Sequence, residues 1–425
     1  LTRSDGGEAL IGDNPVTELA RQFGTPLWVV DEDDLRGRCR AYRAAFTGVD
    51  VYYASKAWCS VGLVQITVEE GLGVTVASGG ELHTARLAGA PMERVAFHGN
   101  NKSAEELRMA ADLGVGRLVV DSFDELERAD RIAQEVGRPF QCWLRVTPGI
   151  DAHTHTYVKT GHDDTKFGFT LSLGLADAAV EAALGLEGIE LVGAHAHVGS
   201  QIFGTDALVA NAEVMLGLLA GWRERFGVTL GELNLGGGMA IPYTHEDHPV
   251  DVERYGAAIR STVDQMCARL NYPRPRIAVE PGRALVGPSA MTLYRVGTVK
   301  RLPGLRTYVS VDGGMSDNIR PALYEAEHEV ILANRKGGEA LEPFTIVGKH
   351  CESGDLVRER VTLPADLGVG DLLAVAATGA YTESMASNYN RLPRPGAVLV
   401  QEGRVRELVR RETYEDVAAR DIPLR

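Results

Sequence analysis

The sequence has 425 residues and a formal net charge of −14, and 44% of its residues are hydrophobic. This length exceeds one ordinary hydrophobic core, so we expect two domains. The negative charge argues against nucleic acid and anionic membranes as partners, and no apolar run is long enough to span a bilayer. The five scattered cysteines, without a CxxC pair, and an N-terminus without a signal-peptide core favour a cytoplasmic location.

Between residues 27 and 283, short apolar runs alternate with helix-length amphipathic stretches. Eight such runs are predicted as strands, at 51–54, 74–77, 94–97, 118–120, 141–146, 189–195, 232–235 and 277–280. Two of the following helices begin with a capping-box pattern, Ser103 with Glu106 and Ser122 with Glu125. Strand–helix alternation implies a parallel sheet, and eight repeats over roughly 250 residues fit a (β/α)₈ barrel. A doubly wound open sheet is the structural alternative.

The pattern changes after residue 283, where strands broken by Gly and Pro follow one another with few helices. We predict strands at 298–301, 307–311, 344–348, 371–377 and 397–406. The predicted architecture is therefore α/β plus β. A TIM-like barrel over 27–283 precedes a β-sandwich domain over 284–425, which the N-terminal segment 1–26 joins.

Lys56 follows the first apolar run directly, in Tyr52-Tyr53-Ala54-Ser55-Lys56. A lysine at the end of a buried strand can be desolvated, which lowers its pKa and provides a neutral amine that attacks carbonyls. A solvated lysine at the start of a loop is the more common situation for any single lysine. In a parallel barrel, however, the chemistry lies at the carboxyl ends of the strands, where Lys56 is predicted to lie.

Other unusual residues follow the later strands. The segment from His197 to Ser200 follows the sixth, three glycines at 236–238 end the seventh, and Glu280 and Arg283 end the eighth. The glycines predict either a tight turn or a backbone cradle for a phosphate. Glu280 leaves a buried strand and therefore needs a cationic or hydrogen-bonding partner, which Arg283 could supply.

Histidines and cysteines add two further interpretations. His195 and His197 alternate along a strand and could both be ligands of one metal ion. No third ligand is evident, so we predict no metal site. Three histidines at 153, 155 and 162 lie in a polar loop and are interpreted as surface or lid residues. Cys351 stands beside acidic Glu352, which favours a protonated thiol that donates a proton, although a structural cysteine is the commoner case.

Together the predicted site contains an amine nucleophile, a phosphate cradle, a buried carboxylate and a flat imidazole. Pyridoxal 5'-phosphate needs each of these groups, because its aldehyde, phosphate, ring nitrogen and ring face each need a different partner. The amino-acid sequence therefore predicts this cofactor.

Eight motifs carry a resemblance to a known family: YYASKA, HGNNKS, HAHVGSQ, LNLGGG, EPGR, DGGMSDNIRPALY, CESGD and GAYTESMASNYN. The chain resembles the fold-type III pyridoxal-phosphate decarboxylases, and within them the diaminopimelate branch. These motifs span nearly the whole chain in the order of the family. The resemblance implies a (β/α)₈ barrel, a β-sandwich domain, and a homodimer with shared active sites.

The resemblance also implies a role for individual residues. Lys56 would hold the cofactor covalently, His197 would stack on its ring, and Glu280 would pair with its ring nitrogen. The implied cofactor contacts also include Ser200, Gly237, Gly238, Gly282, Arg283 and Tyr381. The implied substrate contacts are Arg283, Arg320, Tyr324, Glu352 and Tyr381. Cys351 would be the proton donor, and Cys351 and Glu352 would enter the site from the partner subunit.

The implied reaction is decarboxylation of meso-2,6-diaminopimelate to L-lysine and carbon dioxide, the last step of lysine biosynthesis. Decarboxylation of ornithine or arginine is the main alternative, although Glu352-Ser353 and the GAYTESMASNYN run favour the diaminopimelate branch. A racemase would need a second base, which CESGD does not supply, and an inactive homologue would lack Lys56 or Cys351. Met239-Ala240 and Thr382-Glu383 depart from the pattern of the branch without removing a catalytic group.

Overall fold

The computed structural model describes residues 2–150 and 165–424. The histidines at 153, 155 and 162, with most of the predicted lid over 153–167, therefore lie outside the described residues. Its contacts divide the chain into two units. One unit consists of Arg38–Ile241 and His248–Ala284, and the other of Leu1–Gly37, Pro242–Asp247 and Leu285–Arg425.

Eight parallel strands close into a barrel in the first unit, and each overlaps one predicted apolar run. In chain order they are Val49–Ala54, Gly73–Val76, Val95–Phe97, Arg117–Val120, Phe140–Thr147, Ile189–His195, Glu232–Asn234 and Arg276–Val279. Strand eight pairs in parallel with strand one, with Val279 opposite Val51. This pairing closes the sheet, so the predicted barrel is confirmed and the open-sheet alternative is wrong.

Helices follow the barrel strands and lie at Val61–Glu69, Gly79–Leu87, Ala104–Leu113, Phe123–Val136, Leu175–Leu184, Asp206–Phe226 and Val252–Arg269. A short strand at Phe169–Thr170 extends the sheet beside strand five. Within the part of the chain that the structure describes, none of the helices has both the length and the apolar content needed to cross a membrane.

Side chains fill the interior of the barrel and the end at which its strands begin. One buried cluster consists of Tyr52, Ala96, Val119, Trp143 and Ala278, which come from five different strands. Below it, Arg117 and Trp143 both donate to the carboxylate of Glu232, at 2.6 and 2.7 Å. This end is therefore closed by packing and ion pairing, which leaves the carboxyl ends of the strands for chemistry.

The two predicted capping boxes differ in outcome. The Ser103 hydroxyl accepts from the Glu106 N–H and the Glu106 carboxylate accepts from the Ser103 N–H, so this box is confirmed. The Ser122 hydroxyl also accepts from the Glu125 N–H, but the Glu125 carboxylate binds the Lys102 ammonium at 2.5 Å. The second box is therefore wrong in its return bond, because a buried lysine competes for that carboxylate.

Lys102 and Glu125 form an ion pair in which each residue is only 2% exposed. The Lys102 ammonium also donates to the carbonyls of Gly99 and Val119, both at 2.8 Å, and the Glu125 carboxylate accepts from the Asp121 N–H at 2.9 Å. Each charge therefore has several partners. Losing one member would leave the other buried and unpaired.

Lys102→Met should lower the free energy of unfolding by about 3–5 kcal/mol, because it strands the Glu125 carboxylate in the interior. Urea unfolding followed by circular dichroism measures the change. The double variant Lys102→Met/Glu125→Gln should recover part of the loss, since no unpaired charge then remains. Arg21→Met, at an exposed ion pair with Glu18, is the matched control and should have no measurable effect. The prediction would be contradicted if Lys102→Met and Arg21→Met lowered the free energy of unfolding by the same small amount.

The second unit is mostly sheet. Its strands run in the spatial order Leu356–Pro364, Leu341–Val347, Arg306–Val311, Ala290–Leu302, Leu27–Asp31, Gly396–Gln401 and Arg404–Val409. Leu372–Val375 also pairs with the long strand Ala290–Leu302, and Val330–Leu332 pairs with Leu372–Val375. A small sheet of Thr2–Arg3, Ala9–Ile11 and Asn14–Pro15 and the helices Val16–Phe23, Arg320–Tyr324 and Tyr414–Ala418 also belong to this part. The helices Glu32–Ala45 and Arg283–Val286 each span a boundary between the two units along the chain.

Two boundaries differ from the predictions for this unit. The strand Leu27–Asp31 lies inside the predicted barrel range, yet it pairs with Ala290–Leu302 and Gly396–Gln401. It is buried on both faces, so its apolar sequence looks like a barrel strand. The predicted strand over 397–406 is two strands, because Glu402 and Gly403 turn the chain with positive φ angles of 47° and 74°.

Candidate active site at the barrel mouth

Lys56 lies in a single 3₁₀ turn, Ser55–Ala57, which follows strand one directly. Its neighbour Ser55 is buried and donates to the Thr75 carbonyl at 2.7 Å, which fixes the turn against strand two. Burial among the barrel walls lowers the pKa of Lys56, and the positive charges of Arg145 and Arg283 add to this while Glu280 opposes it. The side chain itself is exposed to solvent, which limits the effect but leaves the amine accessible.

The three glycines after strand seven lie against the backbone of neighbouring loops. A Cβ on Gly237 would come within 2.2 Å of the Glu280 carbonyl oxygen, and one on Gly238 within 2.4 Å of the Gly199 carbonyl oxygen. Gly236 and Gly238 also have positive φ angles, of 70° and 107°. Larger residues cannot occupy this loop without moving the backbone. The glycines therefore form a close-packed turn, and their use as a phosphate cradle stays a prediction.

Two further contacts link the segments that follow strands six, seven and eight. The Ile202 N–H donates to the Gly238 carbonyl at 2.9 Å, and the Arg283 guanidinium donates to the Ser200 hydroxyl at 3.0 Å. Gly282 is equally close-packed, because a Cβ there would lie 2.9 Å from the Ala54 carbonyl oxygen at the end of strand one. A cation and a hydroxyl thus lie together beside a close-packed glycine loop at the mouth, which suits an anionic group.

His197 presents a neutral imidazole at the same mouth. Its Nδ1 accepts a hydrogen bond from the Gly237 N–H at 3.3 Å, so the ring proton belongs on Nε2. Burial and the nearby charge of Lys56 lower the pKa of His197 to about 3. At neutral pH the ring is therefore uncharged, and His197 offers a flat surface rather than a cation.

Glu280 follows strand eight and is 9% exposed. Its carboxylate accepts from Asn234 Nδ2 at 2.7 Å and pairs with His98 Nε2 at 2.8 Å and His195 Nε2 at 3.3 Å. Burial raises the pKa of Glu280, but His98 and His195 outweigh it and hold that pKa well below its usual value. Arg283, the partner expected from the sequence, donates instead to Ser200. The partners found for the Glu280 carboxylate are therefore Asn234, His98 and His195 rather than Arg283.

His98, His195 and Glu280 have ligand atoms within 4.8 Å of one another, which is the spacing of a metal site. The hydrogen bonds to Glu280 account for this spacing without an ion, since Asn234 and both imidazoles donate to the carboxylate. His197, the metal candidate paired with His195 in the sequence, instead accepts from Gly237.

The remaining predicted residues belong to the other unit. Arg320 begins a short helix, is 5% exposed, and its guanidinium lies 4.9 Å from the ring centre of Tyr243 and 5.8 Å from that of Tyr324. Tyr381 has a positive φ of 60°, which is costly for an aromatic residue and marks a position held by its surroundings. The buried Thr382 hydroxyl donates to the Thr378 carbonyl and helps to hold that turn.

Cys351 and Glu352 lie together on an exposed loop. The Cys351 N–H donates to Asn390 Oδ1 at 2.8 Å, and the Glu352 carboxylate accepts from the Gly354 N–H and the Ser353 hydroxyl, both at 3.3 Å. Cys351 is the exposed member of the five free cysteines. Asn390 thus holds the backbone at Cys351, the loop itself holds Glu352, and both side chains are exposed.

Beneath this loop lies a buried acid, Asp317. Its carboxylate accepts from the Gly314 N–H at 2.8 Å and from the hydroxyl of buried Tyr294. Burial raises the pKa of Asp317 to about 7, and Tyr294 and Gly314 only partly oppose it. The folded state therefore binds a proton at a pH where the unfolded chain has lost it.

Asp317→Asn should remove a pH-dependent part of the stability. The folded pKa is above the unfolded value, so the wild type loses stability as pH rises from about 4 to about 7. Three pH units correspond to roughly 4 kcal/mol at most. The stability of the Asn variant relative to wild type should rise by a few kcal/mol over this range. Urea unfolding at pH 4.5, 6 and 8 measures it, and parallel pH curves for the two proteins would contradict it.

The sequence reasoning missed the groups that surround Glu280. Asn234 and His98 were not singled out, and His195 was considered only as a metal ligand. Each stands at or just beyond the carboxyl end of a barrel strand, where the last apolar residue gives way to a polar one. That switch is a usable signal in a parallel barrel, because these ends meet at one face.

The barrel-mouth residues fit pyridoxal phosphate on chemical grounds. Lys56 is an accessible amine with a lowered pKa, and Glu280 is a buried carboxylate that stays ionised. The glycine loop packs closely against the segments after strands six and eight, where the Arg283 guanidinium contacts the Ser200 hydroxyl. Amine, anion cradle, acceptor and flat ring therefore occur together in one unit.

Comparisons with known proteins agree with this fit. Residues 32–287 match the family described as pyridoxal-dependent decarboxylase, pyridoxal binding domain. Diaminopimelate decarboxylase of Bacillus subtilis is 47% identical, covering 99% of this chain and 96% of the relative, and that of Mycobacterium tuberculosis is 44% identical with the same coverage. The crystal structure of diaminopimelate decarboxylase from M. jannaschii in co-complex with L-lysine has a TM-score of 0.93 at 33% identity, covering 99% of this chain and 97% of that one. The chain belongs to the diaminopimelate decarboxylase family of pyridoxal-dependent decarboxylases.

Proposed function

We propose that this protein decarboxylates meso-2,6-diaminopimelate to L-lysine and carbon dioxide, the last step of lysine biosynthesis. The observation that carries the proposal is the group of Lys56, His197, Glu280 and the glycine loop at one barrel mouth, in a chain 47% identical to a diaminopimelate decarboxylase. In the reaction, the bond to one carboxylate breaks, carbon dioxide leaves, and a proton takes its place on carbon.

The barrel residues bind and orient the cofactor. Pyridoxal phosphate, when bound, supplies the electron sink for the bond that breaks. Lys56 is the covalent attachment point, and the neutral His197 ring packs on the ring face. Glu280 holds a proton on the ring nitrogen, because an ionised buried carboxylate favours a cationic partner. The proposed phosphate ligands are Ser200, Gly237, Gly238, Gly282, Arg283 and Tyr381.

The residues of the other unit select the substrate and complete the reaction. Arg320 binds the distal carboxylate, with Tyr324 beside it, and Arg283 and Tyr381 add further substrate contacts. Glu352 binds the distal ammonium, and the Cys351 thiol gives the proton to the α-carbon. A fixed cation and a fixed anion reject ornithine and lysine, because each would leave one of these charges without its partner.

We also propose a cytoplasmic homodimer with shared sites. The exposure of Cys351 and Glu352 supports this arrangement, since the loop that carries them holds them toward solvent rather than into its own unit. In the dimer, the partner subunit's Cys351 and the partner subunit's Glu352 would complete each site. Sedimentation at working concentration measures the assembly state.

The function is tested by carbon dioxide release from meso-diaminopimelate, L-ornithine and L-arginine, with the protein loaded with pyridoxal phosphate. Release from meso-diaminopimelate alone is the expected result. Release from ornithine or arginine instead would assign the chain to another branch of the family. Conversion of an amino acid to its mirror image without gas release would make it a racemase.

Glu352→Gln should raise KM for meso-diaminopimelate by roughly 10- to 100-fold, the range for a lost hydrogen bond to a charged group. The kcat should fall much less, because the contact is made equally before and during the reaction. Steady-state carbon dioxide release measures both constants. Glu359→Gln, at an exposed glutamate that pairs with Arg306, is the matched control. An unchanged KM would remove Glu352 from substrate recognition.

A further inference from the structure

Three donors from three different strands converge on Glu280. Asn234 is the last residue of strand seven, His195 the last of strand six, and His98 directly follows strand three. Asn234 and His98 both bind Oε1, at 2.7 and 2.8 Å, and His195 binds Oε2 at 3.3 Å. The three side chains are between 0 and 13% exposed, so water does not substitute for them.

The orientation of each donor is fixed by other contacts. Asn234 Oδ1 accepts from the Gly236 N–H at 2.8 Å, so its amide NH₂ must be the group that faces Glu280. Burial lowers the pKa of His98, and it lowers that of His195 to about 4. Each imidazole is therefore neutral with one N–H, which belongs on Nε2 because an ionised carboxylate only accepts. His195 Nδ1 has no hydrogen-bond partner among the described residues, which agrees with a proton on Nε2.

The Glu280 carboxylate has a limited number of positions at which it can accept a hydrogen bond. An ionised carboxylate has about four acceptor positions, two on each oxygen. Asn234 and His98 occupy both positions of Oε1, and His195 occupies one of Oε2. One position on Oε2 is left. The group that takes it must be a donor, and a charged donor gains most from a carboxylate that is already ionised.

We propose that His98, His195 and Asn234 are positioning residues that keep Glu280 ionised and direct its one remaining acceptor position to the protonated ring nitrogen of the cofactor. The inference rests on the proposed function, which pairs Glu280 with that nitrogen. It explains why Glu280 would pair strongly with the ring nitrogen. Because Asn234 also binds the Gly236 N–H, it ties the acceptor for the ring to the loop that binds the phosphate.

The test compares two ligands on the full-length protein freed of cofactor. One is pyridoxal phosphate, and the other is its analogue in which a C–H group replaces the ring nitrogen. The analogue keeps the aldehyde and phosphate but cannot donate to Glu280. Fluorescence titration gives a dissociation constant for each, and their ratio isolates the contact with the ring nitrogen.

Wild type should prefer pyridoxal phosphate by roughly 10- to 100-fold, the range for a hydrogen bond to a charged group. Glu280→Gln should abolish most of this preference. Asn234→Leu should reduce the preference, but with some loss of affinity for the analogue, because the Gly236 N–H loses its acceptor. His98→Phe should reduce the preference several-fold while leaving affinity for the analogue unchanged. His98→Gln should restore part of it, because a glutamine amide can again donate to Oε1. Wild-type affinity for the analogue shows that a variant is folded.

Two outcomes would overturn the proposal. An unchanged ratio would remove any role toward Glu280, and if both affinities also fell equally, His98 and Asn234 would be merely structural. Zinc binding by the cofactor-free protein, lost in His98→Phe with the ligand ratio intact, would also overturn it in favour of a metal site. Failure of the proposed function would look different, since wild type would then release no carbon dioxide from meso-diaminopimelate whatever the ratio.

Discussion

Replacing Lys56 with alanine should reduce carbon dioxide release by roughly 10⁴-fold or more, the scale of loss when a covalent group is removed from an active site. The variant should still bind pyridoxal phosphate, because the glycine loop, Ser200, Arg283 and Glu280 are untouched. It should lose the covalent link, however, so that reduction with borohydride no longer adds the mass of the cofactor to the chain. Turnover, visible absorbance and intact mass measure the three effects.

The matched control is Lys300→Ala, on an exposed part of the strand Ala290–Leu302. It removes the same charge far from the barrel strands in sequence, and activity should be unchanged. A Lys56→Ala protein that keeps normal turnover would exclude the attachment role. Borohydride labelling that survives in this variant would place the link on another lysine.

Cys351→Ala should lower kcat by about 10²- to 10⁴-fold, the usual contribution of a positioned proton donor. Cofactor affinity should be unchanged, because Cys351 lies in the sheet unit and the proposed cofactor ligands are almost all barrel residues. Burst kinetics separates loss of carbon dioxide from the later protonation, which is the slowed step. Cys267→Ala, at a thiol with 8% exposure, is the control. Unchanged kcat would remove the proton-donor role.

The two inactive variants together test the shared site. Mixing Lys56→Ala with Cys351→Ala and allowing subunits to exchange should restore activity that neither protein has alone. A mixed dimer would have one site with both residues intact. No recovery after demonstrated exchange would mean that each site takes Lys56 and Cys351 from the same chain.

Periodicity predicted the barrel well because each of the first seven barrel strands is short and apolar and precedes a helix of 9 to 21 residues. The same reasoning failed where local sequence does not determine the partner. Leu27–Asp31 has the apolar composition of a barrel strand, and only its pairing with Ala290–Leu302 shows that it belongs elsewhere. Glu125 has the position of a capping residue, yet a lysine 23 residues earlier takes its carboxylate.

The active site also has a part that the sequence predicted and a part that it did not. Lys56, the glycines and Glu280 carry local signals, because each is unusual directly after an apolar run. The bond from Asn234 to Glu280 joins residues 46 positions apart, and the bond from His98 to Glu280 joins residues 182 apart. Those contacts exist only once the strands are side by side in a closed barrel. Sequence patterns could therefore predict the role of the Glu280 carboxylate but not the residues that hydrogen-bond to it.

The pairing of Leu27–Asp31 has a consequence for the order of events during synthesis. The ribosome makes this strand before the barrel, but its partner strands Ala290–Leu302 and Gly396–Gln401 follow about 260 and about 365 residues later. At about 5–20 residues per second, the delay is tens of seconds. All eight barrel strands are complete by Val279, before either partner of Leu27–Asp31 exists. During that interval an apolar strand has no native edge to join, so the nascent chain has to keep it from pairing elsewhere.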